Sequence, residues 1–264
     1  MTVSMQALAD DLVAESAALR TLLVPLDEPG WRRDTPAAGW TVLDQVTHLA
    51  HFDDVAVRSA TEPEVFRAEL ERVLADGGID PDSIAQGYRS RSGAEVFDWF
   101  DASRGRLVEV FRGLDPSLRV PWFGPPMSAA SSLTARIMET WAHGQDVADA
   151  LGAVREPTDR LRHVAHIGVG ARGYSYVVHG REVSTTPVRV ELVAPSGAVW
   201  SWGAPDATDR VTGGALDFCL AVTQRRHRDD TALEISGPAA QEWMAIAQAF
   251  AGAAGTGRRA GGFS

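Results

Sequence analysis

The sequence predicts an N-terminal all-α four-helix bundle followed by a smaller α+β domain. Apolar residues recur at helical spacing in long segments of the first part, whereas apolar and polar residues alternate after Glu156 and Pro157. Hydrophobic residues make up 45% of the 264 residues, which is enough to bury an ordinary core. We place the helical bundle at 1–155, the α+β domain at 156–254 and a disordered tail at 255–264.

The first part contains five predicted helices, four of which are long. Thr41 is expected to cap the second, with Asp44 three residues later in an approximate capping box. Gly152 is expected to follow the end of the last one, where a left-handed conformation favours glycine. The predicted helices cover 5–24, 41–60, 62–75, 90–113 and 131–151.

The second part alternates between predicted helices and strands. Val188, Val190 and Leu192 alternate with charged residues, which is typical of a strand with one buried face. A helix over 158–178 is expected to precede the strands. The other predicted elements are two strands within 187–203, a short strand at 210–212, a helix within 213–226, a strand within 231–237 and a C-terminal helix that starts at Pro238 and runs to the tail.

Composition and charge exclude several classes of function. The formal net charge is -10, which disfavours nucleic acid as a partner. Acidic residues lie where a signal peptide would carry basic ones, and no apolar stretch is long enough to cross a membrane. We therefore expect a cytoplasmic monomer or homodimer that acts on a small molecule. The chain has no lysine, so an anionic ligand would have to be bound by arginine.

Three side chains could form a metal site inside the bundle. Glu139 and His143 lie four residues apart on one helix and therefore point the same way. His48 lies near the apolar stripe of another helix, so the bundle could bring it to this pair. Two histidines and one carboxylate are common ligands of a divalent metal with open coordination positions. From spacing alone, a surface hydrogen bond between Glu139 and His143 and a core position for His48 remain the alternatives.

Two motifs carry a resemblance to a known family. The run GWTVLDQVTHLAHFDD resembles the Trp-Thr-Val-x-Asp-x-x-x-His-Leu signature of the mycothiol-dependent maleylpyruvate isomerase family, within the DinB-like metal-binding superfamily. The run RIMETWAHGQDVADALG is similar to the family's second signature, Arg-x-x-Glu-x-x-x-His-x-x-Asp-Val. The motifs occur in the family's order, and the resemblance covers about 1–155. The C-terminal part looks like a distinct subgroup of that family.

The resemblance implies that His48, Glu139 and His143 bind a divalent metal, usually zinc. It also implies an enzyme that uses a low-molecular-weight thiol, mycothiol, for isomerisation or thiol transfer on a small electrophilic acid. We take Arg136 as a catalytic residue that could bind an anionic substrate, against the alternative of a surface salt bridge. A non-catalytic binding module and a metal-dependent hydrolase are the competing functions.

Several neighbouring residues have two possible roles. Asp146 could accept a hydrogen bond from the ring of His143 or be a solvated charge. Asp44 could do the same for His48 or serve as the cap. His51 is expected beside the metal or in the wall of a cavity. We expect Trp40 and Trp141 to be core residues. Arg89 and Arg91 are weaker candidates than Arg136 for binding an anion.

The single cysteine, Cys219, lies in an apolar helical run. We expect it to be a buried core residue rather than a catalytic thiol, since a thiolate is costly in such surroundings. His163 and His166 are expected at a surface or an interface, since no third ligand accompanies them. A thiol mechanism would therefore need a thiol from outside the chain.

Overall fold

The computed structural model describes residues 4–75 and 77–262. The chain divides into two compact units between Val154 and Arg155. The first unit is mainly helical, and the second combines helices with a small mixed sheet. None of the helices among the described residues is long and apolar enough to cross a membrane.

The first unit contains four long helices, three shorter ones and a two-stranded antiparallel sheet within its described residues. The helices are α1 (Met5–Leu23), α2 (Glu28–Trp31), α3 (Val42–Thr61), α4 (Pro63–Ala75), α5 (Pro81–Gly87), α6 (Gly93–Arg112) and α7 (Ala129–Leu151), and the strands are β1 (Arg119–Val120) and β2 (Met127–Ser128).

The four long helices pack side by side. Helix α3 lies against α6 and α7, and α1 lies against the same two helices. Two clusters of buried side chains fill the space between them: Leu19, Val46 and Phe100 belong to one, and Leu12 and Ile137 to the other. This packing places one face of α3 next to one face of α7, which positions the candidate site.

One buried arginine connects all four long helices. Arg104 on α6 donates from Nε to Asp53 of α3 at 2.7 Å. Its Nη1 donates to the hydroxyl of Ser16 on α1 and, at 2.9 Å, to that of Thr140 on α7. All four side chains are buried. Because an unpaired charge in this position would be costly, the network favours one arrangement of the helices.

The helix ends confirm two predictions made from sequence. Thr41 and Asp44 form a capping box at the start of α3, with the Asp44 carboxylate accepting from the Thr41 backbone at 2.8 Å. Gly152 ends α7 in the left-handed region, at φ 65°. The two helices with these ends carry the candidate ligands: His48 lies on α3, and Glu139 and His143 lie on α7.

The second unit contains a four-stranded sheet in the order β4-β3-β5-β6 among its described residues. Strands β3 and β5 are parallel, and the two outer pairs are antiparallel. The elements, with one further turn of 3-10 helix at Arg228–Asp230, are α8 (Leu161–Gly170), α9 (Arg172–Val178), β3 (Val188–Val193), β4 (Val199–Trp202), β5 (Asp209–Gly214), α10 (Ala215–Val222), β6 (Glu234–Ser236) and α11 (Pro238–Ile246).

Two helix predictions for the second unit are wrong. The expected single helix over 158–178 is two helices, because the chain leaves helical geometry at Ala171 within a glycine-rich stretch. Gly168 there allows a close approach of α8 to α10: a Cβ at Gly168 would lie 2.6 Å from Val222. The C-terminal helix ends at Ile246, well before the predicted end.

The disordered tail over 255–264 stays a prediction. Residues 263 and 264 lie outside the described residues. Within the described part, the backbone N–H of Gly255 donates to Gln248 at 2.8 Å, and that of Gly261 donates to Asp230 at 2.7 Å.

Candidate metal centre

The structure brings His48, Glu139 and His143 together between α3 and α7. Glu139 Oε2 lies 3.1 Å from His143 Nε2 and 3.6 Å from His48 Nε2. One ligand atom from each residue lies within 4.8 Å of the others. The spacing of Glu139 and His143 on one helix is therefore an internal contact of a three-residue cluster rather than an isolated surface pair.

The cluster is largely buried yet remains accessible. The side chains of His48 and His143 are each 12% exposed, and that of Glu139 is 17% exposed. Among the described residues, no other histidine, cysteine or acid joins them. A metal ion held by three protein ligands would keep open coordination positions, which is the arrangement of catalytic rather than structural zinc sites.

Gln45 orients the ring of His143, a role that the sequence analysis did not assign. Its side-chain oxygen lies 2.5 Å from His143 Nδ1. Because an amide oxygen can only accept, Nδ1 carries the proton and donates. The Gln45 amide nitrogen in turn donates to Thr35 Oγ1 at 2.9 Å, which fixes the orientation of the amide. With Nδ1 bound to Gln45, Nε2 is the ring nitrogen that faces Glu139 and that would bind a metal.

Aromatic rings form the walls of the cluster. The ring of Trp40 stacks on His143, with 5.9 Å between centroids and 17° between planes. On the other side Phe52 contacts the ring of His48, with 4.6 Å between centroids. The expectation that Trp40 belongs to the core is wrong: the residue is half-buried, and its indole N–H donates to Asp82 at 2.6 Å. Trp141 is buried, as expected.

The protonation states at neutral pH match those of a metal site. Burial lowers the pKa of His48 to about 4, and the neighbouring His143 lowers it in the same direction. Burial by itself would raise the pKa of Glu139, but hydrogen bonds from His143 and His48 and the charge of Arg136 lower it well below its usual value. His48 is therefore neutral and Glu139 ionised, so both can bind a cation without first losing a proton.

Arg136 lies at the edge of the cluster. Its Nη2 is 3.9 Å from Glu139 Oε1, and its guanidinium lies 5.9 Å from the centroid of the Phe52 ring. The residue is 5% exposed, so the alternative of a surface salt bridge is wrong. Its Nη1 is buried without a hydrogen-bond partner in the described part of the chain. Because buried donors are nearly always satisfied, this atom marks a position where a ligand could accept.

Asp146 has neither of its two predicted roles, and Asp44 has one of its two. Gln45 occupies the position at His143 Nδ1 that was predicted for Asp146, and Asp146 is buried rather than a solvated charge. Asp44 is the helix cap and also accepts from Arg89 at 2.9 Å. No described residue hydrogen-bonds His48 Nδ1.

The other arginine candidates have partners of their own. Arg89 is bound to Asp44, and the guanidinium of Arg91 lies 5.1 Å from the ring centroids of Tyr88 and Trp99. Neither is therefore the preferred anion-binding group in the first unit. Arg136 remains the candidate.

Cys219 is part of the core of the second unit. It is fully buried, and burial raises the pKa of its thiol far above the usual value. Its Sγ lies 3.5 Å from the backbone oxygen of Leu161. This agrees with the expected structural role. His163 and His166 lie on α8, and they belong to no metal-ligand cluster of the described residues.

The protein is of a two-unit class. Its helical unit carries two histidines and one glutamate that could hold a metal ion, and the unit that follows contains a small mixed sheet. A family model described as the mycothiol maleylpyruvate isomerase N-terminal domain matches residues 12–148, which is just over half of the chain. The chain belongs to this family. The family prediction made from the two sequence motifs is thereby confirmed.

The chain is also similar to two curated relatives and to two solved structures. Two uncharacterised proteins of Mycobacterium tuberculosis, Rv0036c and MT0041, are each 46% identical over 248 residues, which cover 94% of this chain and 96% of theirs. The crystal structure of a mycothiol-dependent maleylpyruvate isomerase matches with a TM-score of 0.58 at 16% identity, and that of a histidine-to-alanine variant with 0.59 at 15%. Both matches cover 90% of this chain and 98% of the other, and they show a shared fold.

A second family model matches part of the second unit. It is described as wyosine base formation and covers residues 184–234. This is a minor part of the chain, so it does not define a family.

Proposed function

We propose that His48, Glu139 and His143 bind a divalent metal ion, zinc by preference, and that the protein is an enzyme using a low-molecular-weight thiol. The reaction is isomerisation or thiol transfer on a small electrophilic acid, with mycothiol as the thiol. One observation carries this proposal: three metal-binding side chains converge beside a buried arginine that has an unused donor.

The chain's own residues prepare this site before any ligand binds. Gln45 fixes the tautomer of His143, and Glu139 is ionised. The rings of Trp40 and Phe52 exclude water from two sides. A divalent metal held there would make the thiolate form of a bound thiol available near neutral pH.

The thiol must come from outside the chain. Cys219 is the sole cysteine of the sequence, and it is fully buried in the second unit. The solved structures that share this fold are those of an isomerase that depends on mycothiol. This supports mycothiol as the thiol here.

Arg136 would bind the carboxylate of the substrate. Its Nη1 is buried, lacks a partner in the described part of the chain and lies on the helix that carries two of the three ligands. Arg136→Gln removes the charge and keeps a donor. We expect this variant to retain its zinc while the KM for an acidic substrate rises, and an unchanged KM would remove Arg136 from the binding site.

Further expectations from sequence have partial support. We propose that α1, α3, α6 and α7 form a DinB-like four-helix bundle, since each packs against two of the others. The domains proposed at 1–155 and 156–254 are supported by the division between Val154 and Arg155. Cytoplasmic location, absence of nucleic acid and membrane partners, and a monomeric or homodimeric state stay predictions.

The first test is the metal content of the purified protein and of three variants. His48→Ala, Glu139→Ala and His143→Ala should each lose most of the zinc that the unaltered protein carries, as measured by elemental analysis. His166→Ala is the matched control, since His166 belongs to no metal-ligand cluster of the described residues. Full zinc occupancy in His143→Ala would refute the site.

The second test separates the thiol mechanism from hydrolysis. Cobalt substituted into the protein should change its visible spectrum when mycothiol is added, because a sulfur–metal bond forms, but not when the S-methylated thiol is added. His48→Ala should abolish the change. If the spectrum ignores the thiol while the protein hydrolyses activated esters, the metal-dependent hydrolase replaces this proposal. If the protein contains zinc but shows neither the thiol-dependent spectral change nor ester hydrolysis, it is the non-catalytic binding module.

A further inference from the structure

A cleft of about 450 Å³ lies in the first unit. It is formed by residues of α3, α4 and α5, the loop between the last two, and Phe123. Its volume is in the range of pockets that bind small molecules. Most of its wall is apolar, and the main apolar side chains are Val55, Phe66, Leu70, Val73, Ile84 and Phe123.

Phe52 connects this cleft with the metal centre. Its ring contacts His48, a candidate ligand, with 4.6 Å between centroids. The same ring contacts two lining residues of the cleft, His51 at 5.1 Å and Phe123 at 6.2 Å between centroids. Phe52 therefore lies between two lining residues of the cleft on one side and His48 and Arg136 on the other.

The charges in the cleft do not favour an anion. The one arginine in its wall, Arg58, is already bound to Glu69 at 2.8 Å. Asp80 adds a second negative charge, and hydrogen bonds from Ser83 and the backbone keep its pKa low. Burial lowers the pKa of His51, so its ring is neutral at pH 7. The wall therefore carries one positive and two negative charges.

We propose that this cleft receives the apolar body of the substrate, whose single carboxylate and reactive carbon lie at Arg136 and the metal centre. The substrate class is thus an electrophilic monocarboxylic acid with an extended apolar chain or ring. A second carboxylate at the far end is disfavoured, because it would be placed beside Glu69 and Asp80 without a free cation. The assignment of the reactive end rests on the function proposed above.

The test uses the neutral apolar fluorophore N-phenyl-1-naphthylamine on the metal-replete protein. Its fluorescence should rise on binding, and Leu70→Trp should weaken binding at least tenfold by filling the cleft. Leu74→Trp is the matched control, because Leu74 lies on the same helix but is exposed and does not line the cleft. The thermal unfolding of both variants shows whether the fold is retained. Equal binding by Leu70→Trp and Leu74→Trp would overturn the proposal.

Competition defines the ligand class. Octanoate should displace the fluorophore, and octanedioate, which adds a carboxylate at the far end, should be at least tenfold weaker. Equal displacement by both acids would overturn the monocarboxylate assignment. Ile84→Trp gives a second obstruction of the cleft if Leu70→Trp fails to fold.

Failure of the cleft and failure of the metal centre give different results. The fluorophore should bind His143→Ala as tightly as the unaltered protein, because it occupies only the cleft. If the purified protein contains no zinc but still binds the fluorophore, the proposed enzymatic function fails and the proposed cleft remains. A positive cobalt–thiol response together with no fluorophore binding would overturn the cleft alone.

Discussion

Gln45 offers a sensitive test of how the candidate metal centre is organised. It is fully buried on α3, accepts from His143 Nδ1 and donates to Thr35 Oγ1. Gln45→Leu replaces the polar side chain by an apolar one of comparable size and removes both hydrogen bonds. The imidazole of His143 then loses the partner that fixes its tautomer and its orientation toward Glu139.

The expected loss is large enough to measure. Groups that orient a metal-binding histidine contribute about 10- to 100-fold to metal affinity. Converted at about 1.4 kcal/mol per tenfold change, this is roughly 1.4 to 2.8 kcal/mol of binding free energy. Gln45→Glu keeps an acceptor for the Nδ1 proton. Its zinc affinity should therefore lie much closer to that of the unaltered protein.

The assay is a zinc titration in competition with a chromogenic chelator at fixed pH. The dissociation constant should rise about 10- to 100-fold in Gln45→Leu and much less in Gln45→Glu. Circular dichroism of the zinc-free proteins controls for the fold, since the lost hydrogen bonds also affect stability. If Gln45→Leu binds zinc as tightly as the unaltered protein, the hydrogen bond does not position the ligand and the reasoning is refuted.

Three further predictions concern protonation, reactivity and stability. In the metal-free protein, the pKa of His48 is about 4 when folded, against 6.5 when unfolded, so the unfolded chain binds more protons between these values. The free energy of unfolding should therefore fall by ~3 kcal/mol as the pH is lowered from 6.5 toward 4. Urea titrations at several pH values should show a weaker dependence of this free energy on pH for His48→Gln than for the unaltered protein. The same dependence in both proteins would contradict the prediction. Cys219 should not react with a chromogenic disulfide reagent until the protein is unfolded, because burial keeps its thiol protonated; rapid labelling of the native protein would show that it is accessible. Asp53→Ala should lower the free energy of unfolding by about 3–5 kcal/mol because it leaves the charge of Arg104 buried and unpaired; a loss below ~1 kcal/mol in urea unfolding would show that water or another group compensates.

The long helices and two of the candidate metal ligands, Glu139 and His143, could be predicted from sequence because their signals are local. The capping box of Thr41 and Asp44 needs only four consecutive residues, and Gly152 marks a helix end by its own conformational freedom. The pairing of Glu139 with His143 follows from helical geometry. Joining His48 to this pair needed the family motifs as well, because spacing within one helix says nothing about which helix lies beside it.

The partners of these residues could not be predicted, because they depend on contacts between distant parts of the chain. Gln45 lies on the same helix face as His48, three residues earlier, which was the one available signal, yet it contacts His143 on another helix. Trp40 has the composition of a core residue and instead forms a wall of the site. The helical periodicity over 158–178 likewise concealed a break that the glycines permit.

The sequence by itself determined which side chains are available: two histidines and a glutamate with helical spacing, arginine as the only basic residue besides histidine, and one cysteine in an apolar run. Tertiary structure decided their chemical state. Packing of α3 against α7 places His48 beside Glu139. Burial lowers the pKa of His48, whereas the contacts with His143, His48 and Arg136 lower that of Glu139 against the effect of burial. Tertiary structure also buries Arg136 with an unused donor, and it forms the apolar cleft from residues of α3, α4 and α5. Burial and proximity between helices depend on the whole fold, and for that physical reason no local pattern could specify them.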